Sequence, residues 1–365
     1  MELALFSTVS QRDPAKSQNS IFMEACDQVG LAEQLGFGTA WFPEHHFTNY
    51  SICPNPTMLA AYAAARTSRI KVGPAVVVVP LHHPIRVVEE LALLDQLSDG
   101  RLAIGLGGGY QEFEFHKFGL EIAKNRAYFS DFLEIFNQYM STGAIEFDGT
   151  LASIPKTLFT LRPKQRAPQV YIASGTTDAA VQKRMVSGQY ASIVSMVANS
   201  TDWVIEKRGQ IEEVYRACGG PAPVMPFALN QYLYVTQDPK AARKAAEAVI
   251  YVIRVHAAMK NKEAQLDGSL MKNEPAPNEP TVDELLGRLA IGDPETVAER
   301  LVRQRRALRP VQMSFIMGLP GMSSAETLVS MELFGKSVMP HLNAVTDEAE
   351  EAGEADVASP ALKEA

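Results

Sequence analysis

Short runs of β-branched and apolar residues alternate along the chain with longer stretches whose apolar positions recur at helical spacing. ELALFSTV (2–9), GTAWF (38–42), IKVGPAVVVV (70–79) and RLAIGLG (101–107) read as four strands. Between them IFMEACDQVGLAEQLG (21–36), PTMLAAYAAARTS (56–68) and PIRVVEELALLDQLS (84–98) read as helices, and a fourth helix begins near Asn125. QVYIAS (169–174), YASIVSM (190–196), FALNQYLYVT (227–236) and VQMSFIM (311–317) bring the strands to eight. A long helix at 240–259 precedes the eighth strand, and a last helix starts at Ser324.

Strands separated by helices imply parallel pairing, and eight such units predict an α/β fold, a single (β/α)₈ TIM barrel. An open doubly wound sheet is the alternative, but it normally has fewer repeats, and no G-x-G-x-x-G follows strand one. GAIEFDGTLASIP (143–155) has hairpin character and reads as an insertion after helix four. The polar, Pro-rich stretch 260–281 is too long for an ordinary connection and reads as a lid before strand eight. Residues 1–345 are expected to form the barrel domain, and the acidic, Ala-rich stretch 346–365 a disordered tail.

Composition narrows the function classes. A net charge of −8 over 365 residues argues against a general affinity for nucleic acid or an anionic membrane. Cys26, Cys53 and Cys218 match neither a zinc spacing nor a disulfide framework, which fits a reducing compartment. There is no run of about 18 apolar residues, and no basic leader precedes strand one. The expectation is a soluble cytoplasmic protein.

The candidate chemistry lies at the strand ends that form the active-site rim of a parallel barrel. Glu44, His45 and His46 follow strand two, HHP (82–84) follows strand three, and GLGGGY (105–110) closes strand four. Ser174, Gly175, Thr176 and Thr177 follow strand five, and Ser195 and Met196 close strand six. A lone His beside an apolar strand is ordinarily a satisfied core residue, but two His pairs at adjacent strand ends favour a functional role. Metal binding is a rival, yet successive side chains on an extended segment point to opposite faces, so Glu44, His45 and His46 cannot all reach one ion; no metal is expected. The run SGTT offers hydroxyls and free amides before a helix, which suits a phosphate or simply an N-cap.

Taken in order, EHHFTNYSICPNP (44–56), VGPAVVVVPLHHPIR (72–86), LLDQLSDGRLAIGLGGG (93–109) and FHKFG (115–119) resemble the luciferase-like flavin monooxygenases. Weaker likenesses continue through NRAYF (125–129), VYIASGTT (170–177), IVSM (193–196) and AIGDPETVAERL (290–301), covering about residues 1–340. The resemblance implies a barrel that takes reduced FMN (FMNH₂) from a separate flavin reductase and reacts it with O₂, inserting one oxygen atom into a small organic substrate by way of a flavin C4a-peroxide. It implies that His45 manages protons and that His46 orients it. An imidazole suits that work because its unperturbed pKa is about 6.5.

By the same resemblance Ala75 and Val76 carry a non-prolyl cis peptide under the flavin, Ser195 and Met196 lie along the ring edge, and Ser174, Gly175 and Thr176 lie in the phosphate loop. Gly107 and Gly108 form the glycine-rich turn, but Gly108 stands where the family often has a phosphate-binding Arg. Arg162, Lys164, Arg166 and Arg184 are the candidate substitutes. An F420-dependent hydride-transfer enzyme and a non-catalytic flavin-binding protein are the alternatives. The Ala-rich second helix further suggests a homodimer.

Overall fold

The computed structural model describes residues 1–173, 175–221 and 225–345; the predicted tail and Ser174 lie outside the described residues. In chain order the strands are β1 (Glu2–Phe6), β2 (Thr39–Phe42), β3 (Lys71–Pro74), β4 (Val77–Val78), β5 (Ala103–Gly107), β6 (Ala144–Asp148) and β7 (Ser153–Leu158). They continue with β8 (Gln169–Ile172), β9 (Ala191–Ser195), β10 (Phe227–Val235), β11 (Leu266–Asp267), β12 (Leu270–Met271), β13 (Ala290–Gly292) and β14 (Gln312–Ile316).

Nine of these form a nearly closed parallel barrel in the order β3-β2-β1-β14-β10-β9-β8-β5-β4. β3 and β4 make one stave, interrupted at Ala75–Val76, whose peptide is cis. The ring closes through β4–β5 pairing and through a bridge between Val72 and Leu102. The eight staves are the eight strands read from the sequence. Leu5, Ala40, Val72, Ile104, Ile172 and Leu229 all lie in one continuous core packed between staves and helices, which is why their strands read as apolar on both faces.

Local sequence sets the helix starts. Asn55 accepts a hydrogen bond from the Met58 N–H at 2.9 Å just before Pro56, and Asp238-Pro239 and Asp293-Pro294 repeat that cap-then-proline pattern. Thr281 with Glu284 and Ser323 with Glu326 form capping boxes.

The predicted insertion is the antiparallel β6–β7 hairpin. Residues 260–281 carry the small β11–β12 hairpin, but a helix (Val282–Arg288), β13 and a second helix (Pro294–Leu308) intervene before β14. β13 is only three residues long and pairs parallel to the outer half of β10, too short to announce itself as a strand. Residues 260–281 are fastened by Asn49, whose Oδ1 accepts from the Met271 N–H at 2.8 Å while its Nδ2 donates to Gln11 O at 2.9 Å and Tyr251 Oη at 2.7 Å. Among the described residues no helix is long and apolar enough to cross a membrane.

Candidate active site

The segment after β2 distributes its side chains alternately. Glu44 and His46, two residues apart, meet on one side, where His46 Nε2 lies 2.8 Å from Glu44 Oε1. His45 points the other way and places Nδ1 2.9 Å from Glu114 Oε1. That same Glu114 oxygen accepts the His46 backbone N–H at 2.8 Å, so it acts as an acceptor. His45 Nδ1 is therefore the donor in this pair. Both carboxylates are buried, Glu44 at 2% and Glu114 at 1% exposure, so neither has water as an alternative partner.

Glu44 is the centre of a second cluster. His82 Nε2 lies 2.7 Å from Glu44 Oε1, and the Val78 N–H donates to Oε2 at 2.8 Å. Burial alone would raise the Glu44 pKa, but hydrogen bonds from His46 and His82 with the Val78 N–H outweigh it and hold the carboxyl below its ordinary range. For His82, burial opposes the charge, and the bond and charge of Glu44 win, raising its pKa. The ligand atoms of Glu44, His46 and His82 lie within 4.8 Å of one another. The 2.7 and 2.8 Å separations are those of imidazole N–H groups donating to a carboxylate, which leaves neither Nε2 a lone pair for an ion.

His45 opens onto a cavity of about 220 Å³ inside the C-terminal end of the barrel. Its walls include Phe6, Ala75, Val76, Gly109, Ser195 and Asn230, with Tyr50, Tyr110 and Tyr232 on the side of His45. The His45 and Tyr50 rings meet edge to face at 4.7 Å. Tyr110 exposes half its surface but keeps its hydroxyl inside, 3.0 Å from His256 Nε2. Burial raises the pKa of all three phenols, Tyr50 to about 12 with Glu114 adding to it. Burial, then Lys260 and His45, push His256 down to about 4. A larger cleft of about 660 Å³ lies between the ends of β1 and β14, lined by Ser7, Thr8, Arg12 and Lys244. It is more open and holds none of the His–carboxylate chemistry, so size does not locate the site.

The structure brings His45, Ala75, Val76 and Ser195 together around this cavity. His46 is not the group that orients His45; Glu114 is, and His46 turns to Glu44. Met196 is buried in the core with Gln304 Nε2 3.7 Å from its sulfur, and Val197 takes the place at the wall. Gly107 answers to its neighbour strand: a Cβ there would stand 2.6 Å from Val76 Cγ2. Gly108 is buried, and Gly109, at φ +74°, is the glycine that lines the cavity. Phe47 is exposed against Phe118, and Phe113 packs with Met259 and Met271.

The phosphate side also shifts. Gly175 has φ +67° and Thr176 O accepts from Gln182 Nε2, but the cap of the following helix is Asp178, not a threonine. Arg162, Lys164 and Arg166 precede β8 and so lie at the opposite end of the barrel. There Lys164 pairs with Asp99 and Arg162 donates to Met140 O at 3.0 Å. Arg184 pairs with Glu134. At the correct end Asn125 Nδ2 donates to Gly109 O at 2.8 Å, which draws the first turn of the helix Asn125–Thr142, with exposed Arg126, to the glycine turn.

The sequence profile of the luciferase-like monooxygenases matches residues 1–309. The chain belongs to that family. A Sinorhizobium fredii relative, uncharacterized protein y4vJ, is 30% identical over 342 residues, spanning 93% of this chain and 97% of that one. The alkanal monooxygenase alpha chain of Photorhabdus luminescens is 31% identical over 243 residues, 65% of each chain. Among solved structures, monooxygenase RslO1 from Streptomyces bottropensis superposes with a TM-score of 0.81 at 22% identity, over 94% of this chain and 100% of that one. The FMN complex of the oxygenating constituent of 3,6-diketocamphane monooxygenase from Pseudomonas putida has a TM-score of 0.72 at 19% identity, covering 93% and 98%. An F420-dependent secondary alcohol dehydrogenase gives 0.69 at 15%, covering 93% and 98%. At these identities the structural likenesses show the shared fold.

Proposed function

We propose that this chain is the oxygenase of a two-component monooxygenase, taking FMNH₂ from a separate flavin reductase and using O₂ to insert one oxygen atom into a small organic substrate. The observation that carries the reading is His45, held at Nδ1 by buried Glu114 and lining the cavity. The cavity fits a flavin ring: Asn230 Oδ1 is buried on its wall without a partner among the described residues, an acceptor suited to a ring N–H. Ala75, Val76 and Ser195 would hold the ring, and Gly175, Thr176 and Thr177 with Arg126 would hold the phosphate. Reduced flavin supplies the electrons that activate O₂. His45 Nε2 takes and returns a proton beside it, Glu114 keeps the imidazole in the required tautomer, and the lid fastened by Asn49 keeps water out.

The same reading makes the protein cytoplasmic, with residues 1–345 as one domain. It also makes it a homodimer, since Met58 and Tyr62 on the second helix and Leu93 and Leu97 on the third expose apolar surface. The alternative, hydride transfer from reduced F420, has support in the F420-dependent dehydrogenase of similar fold. The deciding experiment is anaerobic mixing with reduced FMN followed by a pulse of O₂ in a stopped-flow spectrometer. A flavin absorbance phase that outlives the reoxidation of free reduced FMN is expected. Reoxidation at the free-flavin rate sinks the oxygenase reading and favours F420.

A further inference from the structure

We propose that Tyr50, Tyr110 and Tyr232 form the substrate subsite, and that it selects an uncharged ring compound bearing an oxygen substituent. The proposal rests on the flavin reading for the reaction but stands on the cavity's own chemistry. Among the described residues the charged side chains lining the cavity are the carboxylates Glu44 and Glu114, and neither Lys nor Arg lines it. An organic anion placed there would lose its hydration and meet like charge.

Plain alkyl chains fail for a different reason. The Tyr50 and Tyr232 phenols both line this wall, and Tyr110 Oη is 3.0 Å from His256 Nε2. Burial keeps all three phenols protonated near neutrality, so each can donate to or accept from a neutral oxygen. A saturated chain would displace cavity water and leave those groups less satisfied, whereas a phenol or ketone oxygen replaces the lost bonds. The rest of the wall supplies apolar surface from Phe6, Ile193, Val197 and Ile316. The Tyr50 ring stands edge to face with His45, so a ring held on this wall lies next to the imidazole.

The test is calorimetric titration of 2-naphthol, 2-naphthoate and naphthalene into the protein loaded with oxidised FMN, repeated on flavin-free protein. Flavin loading is read separately from flavin absorbance, so failure to bind FMN counts against the proposed function while ring selectivity is still measured. The expected result is 2-naphthol binding at least about tenfold tighter than either competitor, the scale of one or two hydrogen bonds. Tyr110→Phe and Tyr232→Phe should each weaken 2-naphthol by about tenfold and leave naphthalene, which has no oxygen, unchanged, with unfolding midpoints confirming an intact fold. Naphthalene or 2-naphthoate binding as tightly as 2-naphthol overturns the proposal, as does binding of none of the three. So does full retention of 2-naphthol affinity in both variants.

Discussion

At the N-terminal end of the barrel Glu2 Oε1 accepts from Thr39 Oγ1 and from Gln312 Nε2, both at 2.6 Å, and Lys71 Nζ reaches Oε2 at 3.0 Å. Gln312 Oε1 in turn accepts from Trp41 Nε1 at 2.9 Å. At the C-terminal end Asn230 Oδ1, Ser7 Oγ and Thr8 Oγ1 are buried with no partner among the described residues. The Glu2–Gln312 cluster is a closed hydrogen-bond network, with Arg162 Nε unpaired near that end, whereas the other end keeps several unmet polar groups around its cavities. Leaving buried polar atoms unpaired costs stability, so the imbalance marks the end where a ligand completes the bonding. Glu44 is the exception, a fully engaged carboxylate at the open end.

The largest effect that would break this contrast is at His45. His45→Ala should lower oxygen-dependent turnover about 10²- to 10⁴-fold with flavin affinity unchanged; a parallel loss of flavin affinity in an FMN titration would make His45 a binding residue. Glu114→Gln should follow with a loss of about 10²-fold and an altered pH–rate profile, because the amide no longer fixes the His45 tautomer. Turnover equal to the parent would remove Glu114 from the site.

Glu44→Ala tests the exception. It strips His46, His82 and the Val78 N–H of their common acceptor and should destabilise by about 3–5 kcal/mol, read in urea unfolding. Gln312→Leu, at the closed end, should cost about 1–3 kcal/mol while turnover stays at the parent level. The smallest effect is a pH dependence. The folded-state pKa of His82 is raised, so its contribution is full below the unfolded value of about 6.5 and is lost as pH rises through the folded one. The lowered pKa of Glu44 gives the opposite limb, with stability lost as pH falls below the carboxylate range. His82→Ala should flatten the decline on the alkaline side of the melting-temperature profile.

The eight staves were legible because each is a short β-branched run between helical periods, and the rim residues followed from the strand ends. His45 stood out as one of two adjacent imidazoles. Glu114 gave no such signal: it lies in EFEFHK, a six-residue helix (Glu112–Lys117), and reaches His45 only through tertiary packing. Tyr50, Tyr232 and His256 come from a loop, a strand and a helix far apart in sequence, and no spacing links them. The glycines of 105–109 misled for a physical reason, since Gly105 and Gly107 are small to admit the neighbouring backbone and Val76 rather than a ligand. The i, i+2 meeting of Glu44 and His46 follows from strand alternation, but His82 joins them only because β2 and β3 are adjacent.

That alternation makes the rim sensitive to insertion and deletion. Exchanging a side chain in 43–46 alters one contact set. Adding or removing a residue between Phe42 and Glu44 would turn the imidazole now facing the cavity toward Val78, and send the groups of the outer cluster inward. The β6–β7 hairpin, at the end of a helix running away from the rim, carries no such phase constraint. Among functional homologues, chain length should therefore vary freely in the hairpin and be invariant between β2 and His45, even where the residues themselves change.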